Sequence, residues 1–258
     1  MSEIIIIAAA SLITSLLTFF SGFGLGTILM PVFAIFFPVE IAIAMTGVVH
    51  FLNNTFKLIL TGGQANLQTA LRFGIPAFIS ALAGSYLLLT VSRLTPVLSY
   101  HLGEKEFSIT MVKIIIAVLL ILFSLLEIIP YFRNLQFERK YLLLGGVLSG
   151  FFGGLSGHQG ALRSAFLIKS GLDKNAFIAT GIAIAFMVDI SRLSVYSTRF
   201  VDSEIYENFP VITAATLSAF LGAFLGNLLL KKITFRGVQM FVSIMLIVLA
   251  VAIGIGIV

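Results

Sequence analysis

The sequence predicts an all-α, polytopic membrane protein built from two inverted repeats, each a broken, hairpin-like helix pair followed by three transmembrane helices. The first observation behind this is composition: 59% of the 258 residues are hydrophobic and only 10% are charged, with a mean hydropathy of +1.12. Soluble domains carry about 25% charged residues. The second is run length. The apolar segments are continuous and about 20 residues long, as spanning helices require, rather than the ~10-residue alternating strands of a barrel. The third is that the order of these segments repeats in the two halves of the chain. Lipid offers backbone groups no water to bond to, so a chain of this kind must satisfy them within helices.

Eight apolar blocks cover residues 3–36, 39–60, 68–92, 108–129, 141–170, 174–197, 206–230 and 237–258. Six have spanning length. The first and fifth run to 34 and 30 residues, about 50 Å if straight. Both are interrupted by glycine: Ser21-Gly22-Phe23-Gly24-Leu25-Gly26 in the first, Gly153-Gly154-Leu155-Ser156-Gly157-His158-Gln159-Gly160 in the fifth. Each reads as two short helices whose turn lies inside the membrane. Block 1 carries Glu3 and no basic stretch before its apolar run, so it reads as a mature membrane helix rather than a secretory signal.

A shift of 134 residues lays Gly26 on Gly160, Ala42 on Ala176, Thr46-Gly47 on Thr180-Gly181 and Pro76 on Pro210. The expected organisation is a first repeat over 1–130, a cytoplasmic connector over 131–140 and a second repeat over 141–258. If each broken block returns to its own side, a half crosses the membrane an odd number of times and the halves are inverted. Ten basic residues then share one side (Lys57, Arg72, Arg133, Arg139, Lys140, Lys169, Lys174, Lys231, Lys232, Arg236) and five the other (Arg93, Lys105, Lys113, Arg192, Arg199). Treating the broken blocks as single spans divides the same residues almost evenly. The positive-inside bias therefore favours inversion, with both termini outside and the loops near 61–67, 130–140 and 231–236 cytoplasmic. Charge does not separate re-entrant arms from thin spanning ones.

The net charge of +5 follows from this loop bias, and no basic cluster interleaved with aromatics marks a nucleic-acid site. The absence of cysteine excludes disulfides and thiolate chemistry. No GxxxxGK[ST] motif points to ATP. The His101, Glu104 and Glu106 set has poor metal spacing and reads as a solvated loop, so neither a metal nor a cofactor is expected.

The chemistry is expected at the breaks. A helix that begins inside the membrane leaves backbone N–H groups unpaired and its dipole favours an anion. The competing reading is that glycine only allows close helix packing. His158, Gln159 and Arg163 beside the second break favour a site. Arg163 needs a partner at this depth and can meet an anion with its guanidinium, or else cap the hairpin. Thr46, His50, Asn53, Asn54 and Lys57 fall on one face of the helix over 39–60. That stripe can line a pathway, with His50 able to carry a proton, or can bond neighbouring helices together. Lys57 suits an interfacial anchor. Asp189 and Arg192, three residues apart, suit a structural ion pair or a coupling or gating pair. Phe19-Phe20, Phe36-Phe37 and Phe151-Phe152 flank the breaks as gates or as ordinary packing.

The segments SGFGLGTILMPVFAIFFPVEIAIAMTGVVHFLNN and GFFGGLSGHQGALRSAFLIKSGLDKNAFIATG together resemble the TauE/SafE sulfite-exporter family of bacterial membrane proteins. The resemblance covers essentially the whole chain and rests on its paired glycine-rich motifs. The second copy departs from the first in having Ala165 where the first has Pro31, with Arg163 nearby. The resemblance implies export of sulfite, a sulfonate or a related small anion across the bacterial inner membrane. It implies substrate roles for Gly24, Gly26, His50 and Asn54 in the first copy and for Gly157, His158, Gln159, Gly160 and Arg163 in the second. Expected partners are the anion and membrane lipids, and the sequence is compatible with a homo-oligomer. An anion channel and an intramembrane enzyme are the alternatives, the latter lacking any HExxH or paired-acid motif.

Overall fold

The computed structural model describes residues 2–21, 25–133, 135–198, 207–229 and 236–258. The first predicted broken block forms α1 (Ser2–Ser21) and α2 (Leu25–Ala34). It is followed by α3 (Val39–Thr61), α4 (Leu67–Val91) and α5 (Met111–Ile128). A short α6 (Pro130–Arg133) leads to the second broken block, α7 (Leu142–Ser156) and α8 (Gly160–Leu167). Then come α9 (Lys174–Tyr196), α10 (Phe209–Leu229) and α11 (Arg236–Gly254). Among the described residues five helices, α3, α4, α5, α9 and α10, are long and apolar enough to cross a membrane. This is a multi-pass helical membrane protein.

Starts and stops follow local chemistry. Asn66, Thr110 and Asp173 cap α4, α5 and α9 by accepting backbone N–H bonds from Thr69, Lys113 and the Asn175–Ala176 pair. The second arms are short. The eight residues of α8 rise only about 12 Å and the ten of α2 about 15 Å, well under a hydrocarbon core of ~30 Å. Neither crosses the membrane as a helix by itself.

Helix packing is reciprocal between the two halves. The first helix of each half lies along the third long helix of the other: α7 on α4, and α1 on α10. The matching helices α3 and α9 meet directly, as do α5 and α11. The main hydrophobic core draws on both halves, with Leu29, Met45 and Ile116 packed in one cluster with Leu155, Ile212 and Leu246.

Glycine makes the α4–α7 seam. Gly146, Gly150 and Gly154 recur every four residues on α7. A Cβ at these positions would stand 2.3, 2.1 and 2.2 Å from the carbonyl oxygens of Phe73, Ala77 and Ala81. Only glycine lets the two backbones approach this closely. The packing role for glycine thus applies along α7 itself, up to and including Gly154 beside the break.

The expectation of an all-helical chain needs one correction. Residues 98–109 form an antiparallel hairpin, β1 (Leu98–Leu102) and β2 (Lys105–Ile109), with Gly103 in the turn at φ 66°. The alternation of Leu98, Tyr100 and Leu102 with polar residues carries the strand period. Tyr100 stacks on Phe107 across the pair and donates to the Ile255 carbonyl at 2.6 Å. Lys113 Nζ ties Ser108 to Gly256 through their carbonyls. His101 and Glu106 face each other in register on this exposed hairpin, so the residues read as a solvated loop belong to a strand pair.

The connector between the halves also has structure. Phe137 donates its N–H to the Ala165 carbonyl and stacks on Phe166 at 4.2 Å, docking the connector on α8. Lys140 pairs with Glu138 at 2.8 Å in full solvent and holds that carboxyl below its usual range by hydrogen bond and charge. An exposed pair of this kind adds little stability.

Candidate functional site

The second break is an αL cap. Gly157, at φ 80°, ends α7 and returns its N–H to the Gly153 carbonyl at 3.0 Å. Gln159 then starts α8, its carbonyl accepting from the Arg163 N–H. The amides of Gly160, Ala161 and Leu162 begin the helix without helical acceptors. At the first break, Leu25 opens α2 directly after residues 22–24, so the site expected at Gly24 lies outside the described residues.

The two breaks touch each other. A Cβ on Gly26 would lie 3.4 Å from the Gly157 carbonyl oxygen, 3.6 Å from Thr46 Cγ2 and 3.9 Å from His50 Cδ2. Pro31 brings no N–H, so the Thr27 carbonyl one turn before it lacks its helical donor. The Thr27 backbone lies against the His158 ring of the other break. His158 Nδ1 is held by the Ser156 carbonyl at 2.9 Å, and the ring stacks on Phe123 at 5.7 Å.

Some polar atoms here are buried and unpartnered. Among the described residues Thr46 Oγ1 and Gln159 Nε2 make no hydrogen bond, and their residues are 1% and 0% exposed, while the His158 ring is turned to the Thr27 backbone. A polar atom without a partner this deep is costly, which makes these two positions candidates for meeting a ligand. The repeat-matched threonine, Thr180, spends its hydroxyl on the Asn66 N–H at 2.9 Å, so the open hydroxyl belongs to the first copy alone.

Four side chains from α3 and α9 interlock beside the breaks. Asp189 Oδ2 accepts from His50 Nδ1 at 2.7 Å and from Asn54 Nδ2 at 2.8 Å. Its Oδ1 accepts from Arg192 Nε at 3.0 Å, with Arg192 Nη2 at 2.8 Å. Each carboxylate oxygen is thus engaged and the cluster is buried. Arg192 reaches from this cluster to the second break: a Cβ on Gly157 would stand 3.0 Å from its Nη1.

Arg163, on α8, is buried as expected of an intramembrane cation. Its Nη1 donates to Gln159 Oε1 at 3.3 Å, a long bond. It acts electrostatically on His50, Lys57 and Asp189. The repeat-matched glycines Gly47 and Gly181 each make room for a guanidinium. A Cβ on Gly47 would lie 3.5 Å from Arg192 Cζ, and one on Gly181 3.5 Å from Arg163 Nε.

The expected site residues therefore divide. Gly26, Thr46, His50, Asn54, Gly157, His158, Gln159, Gly160, Arg163, Asp189 and Arg192 all lie buried at or around the meeting of the breaks with α3 and α9. Asn53 does not. Its amide belongs to the seam of α1, α3 and α10: the nitrogen faces the Ala219 carbonyl at 3.2 Å, the oxygen accepts from Lys57 Nζ at 3.3 Å, and Ser15 Oγ is 3.3 Å away. The polar stripe on α3 thus splits, because α9 covers one flank and α1 with α10 the other. Lys57, expected as an interfacial anchor, is 5% exposed in that seam.

Sequence reasoning missed Ser149, which holds the Gln159 carbonyl at 3.0 Å, and Tyr196, whose hydroxyl donates to the Gly154 carbonyl. Neither stands out in an apolar run. Of the expected phenylalanine gates, Phe152 meets Phe123 edge-on at 5.5 Å, while Phe36 and Phe37 pack against the core. The side chains of Phe19 and Phe20 lie outside the described residues.

The fold defines a multi-pass helical membrane protein in which the second helix break packs against Gly26, near the first. The profile described as Sulfite exporter TauE/SafE matches residues 7–253, and the chain belongs to that family of membrane anion exporters. A search among curated proteins returned no match.

Proposed function

We propose that the protein exports sulfite or an organosulfonate across the bacterial inner membrane by alternating access at the meeting of the two breaks. The observation that carries this is the contact of Gly26 with the Gly157 carbonyl beside the unpartnered Thr46 Oγ1 and Gln159 Nε2. These two groups are hydrogen-bond donors of the kind an oxyanion takes, next to the free N–H end of α8. Arg163 and Arg192 supply positive charge on either flank, and a planar guanidinium suits the oxygens of a sulfo group.

Inverted repeats with both termini outside are part of the same proposal. The ten-to-five division of basic residues and the reciprocal docking of α1 on α10 and α7 on α4 support it. In such an arrangement the halves rock about the shared site. An interior-negative potential favours export by about 2.3 kcal/mol per 100 mV for each net negative charge moved outward.

The test is flux in proteoliposomes with sulfite, methanesulfonate and isethionate as probes, using chloride as the control. Saturable counterflow of a sulfur oxyanion is expected. Absence of flux for every probe, or unitary currents without counterflow, overturns the reading.

A further inference from the structure

We infer that the His50–Asp189 pair is a proton-binding site that makes the protein an anion–proton symporter, an inference that rests on the anion site proposed above. The pair joins the two halves of the chain at 2.7 Å, with His50 2% and Asp189 0% exposed. One side of it faces the breaks: the Cδ2 edge of His50 turns to Gly26. The other side holds Arg192, whose guanidinium backs onto Gly157. A carboxylate and a substrate anion would therefore compete at close range for the same arginine.

Coulomb energy decides the outcome of that competition. Two like charges a few ångströms apart repel far more strongly in a buried site than in water. A proton taken up by the pair, leaving a neutral acid or an imidazolium beside the carboxylate, cancels one negative charge and frees Arg192 to turn to the anion. The anion and the proton then bind cooperatively and must raise each other's affinity by the same factor. The step is one proton gained from one side of the membrane and one released on the other, with no covalent bond formed or broken. A dianion such as sulfite still carries one net negative charge outward with its proton, whereas a monoanion moves electroneutrally and follows its own gradient and that of protons.

The surrounding charges leave this role to the pair. From α9 come Arg192 and Tyr196, from α8 Arg163, and from the second break His158, which acts through Arg192. Lys57 lies two turns further along α3 in the Asn53 seam. From α5 come Lys113 and Glu127, engaged with Ser108 and Gly256 and with Ser243. The described parts of α2 and α10 bring no titratable side chain. Among the described residues Asp189 is the only acid bonded to His50, Asn54 and Arg192.

Proton movement and anion movement are measured together in proteoliposomes holding a pH dye, with the potential clamped. The probe is methanesulfonate, whose own charge is constant across the range, and its binding is followed between about pH 5.5 and about pH 8. Wild-type protein should carry protons in the direction of the anion, and anion affinity should tighten on acidification by up to about tenfold per pH unit. His50→Gln, which keeps a donor toward Asp189, and Asp189→Asn should each flatten that pH dependence. Anion flux without proton movement, or an unchanged pH slope in folded His50→Gln protein, overturns the inference. If both variants misfold, the wild-type proton flux decides alone. Failure of wild-type protein to bind or move methanesulfonate, sulfite or isethionate at any pH counts against the anion site instead.

Discussion

His50 and Asp189 stand 139 residues apart in the chain and 2.7 Å apart in the fold, tying α3 of one half to α9 of the other. Arg192 completes the cluster from the same helix as Asp189. This cross-half bond sets the first expectation. Asp189→Ala leaves a fully buried Arg192 without its counter-charge and should destabilise the protein by about 3–5 kcal/mol. The double variant Asp189→Ala/Arg192→Leu should recover much of that loss. Thermal unfolding in detergent checks both, and equal losses in the single and double variants would show that the cost does not come from an unpaired Arg192.

Arg163 should behave differently. Its side-chain bond to Gln159 is long, so Arg163→Ala should fold with a melting temperature close to wild type. The stabilisation by sulfite or a sulfonate should disappear. Arg163→Lys should restore little of it, since an ammonium cannot present the planar pair of donors. Ligand-dependent thermal shift over an anion panel reads all three proteins.

Gly157→Ala places a side chain at φ 80° and 3.0 Å from Arg192 Nη1. The left-handed backbone costs roughly 1–2 kcal/mol for a residue with a Cβ. The larger effect should be on anion flux, because the new methyl group presses on the guanidinium that faces the break. Flux falling no further than stability predicts would separate Arg192 from the transport site.

The α4–α7 seam offers a purely structural comparison. Gly150→Ala sets a methyl group 2.1 Å from the Ala77 carbonyl oxygen, so the helices must part. Overpacking of this sort costs typically about 1–3 kcal/mol. Gly63→Ala meets nothing within 4 Å and should change stability by less than about 0.5 kcal/mol. Melting temperatures of the two variants, measured side by side, give the answer.

Much of the architecture was legible because lipid imposes it. Long apolar runs have one stable form, and the two glycine-rich interruptions came out as the Ser21/Leu25 and Ser156/Gly160 helix breaks. The hairpin over 98–109 was not read, although Leu98, Tyr100 and Leu102 alternate. A polar interlude between spans looks like a loop until Ile255 and Gly256 give it a surface to dock on. Close packing was raised for the glycines at the breaks, but the four-residue spacing of Gly146, Gly150 and Gly154 was not, since spacing does not say which neighbour approaches.

The site was legible in kind and partner-blind. A polar stripe on α3 predicted five side chains facing one way, yet Asn54 reaches Asp189 while Asn53 turns to Ser15, Lys57 and the Ala219 carbonyl. One helix face about 100° wide is enough to touch two different neighbours. Asp189 and Arg192 announced their own pairing by their spacing, but His50 as the third member came only from the crossing of α3 and α9.

By itself the sequence determined that the chain lives in a membrane, where its helices break, and which few polar groups are held at depth, because hydropathy and glycine placement act locally along the chain. The tertiary structure alone decided that the two breaks touch, that Asp189 is shared between His50 and Arg192, and that Thr46 is left without a partner where Thr180 has one. Those outcomes depend on which helices cross and how closely. That is settled by backbone contacts and buried charge between segments more than a hundred residues apart, which no local pattern encodes.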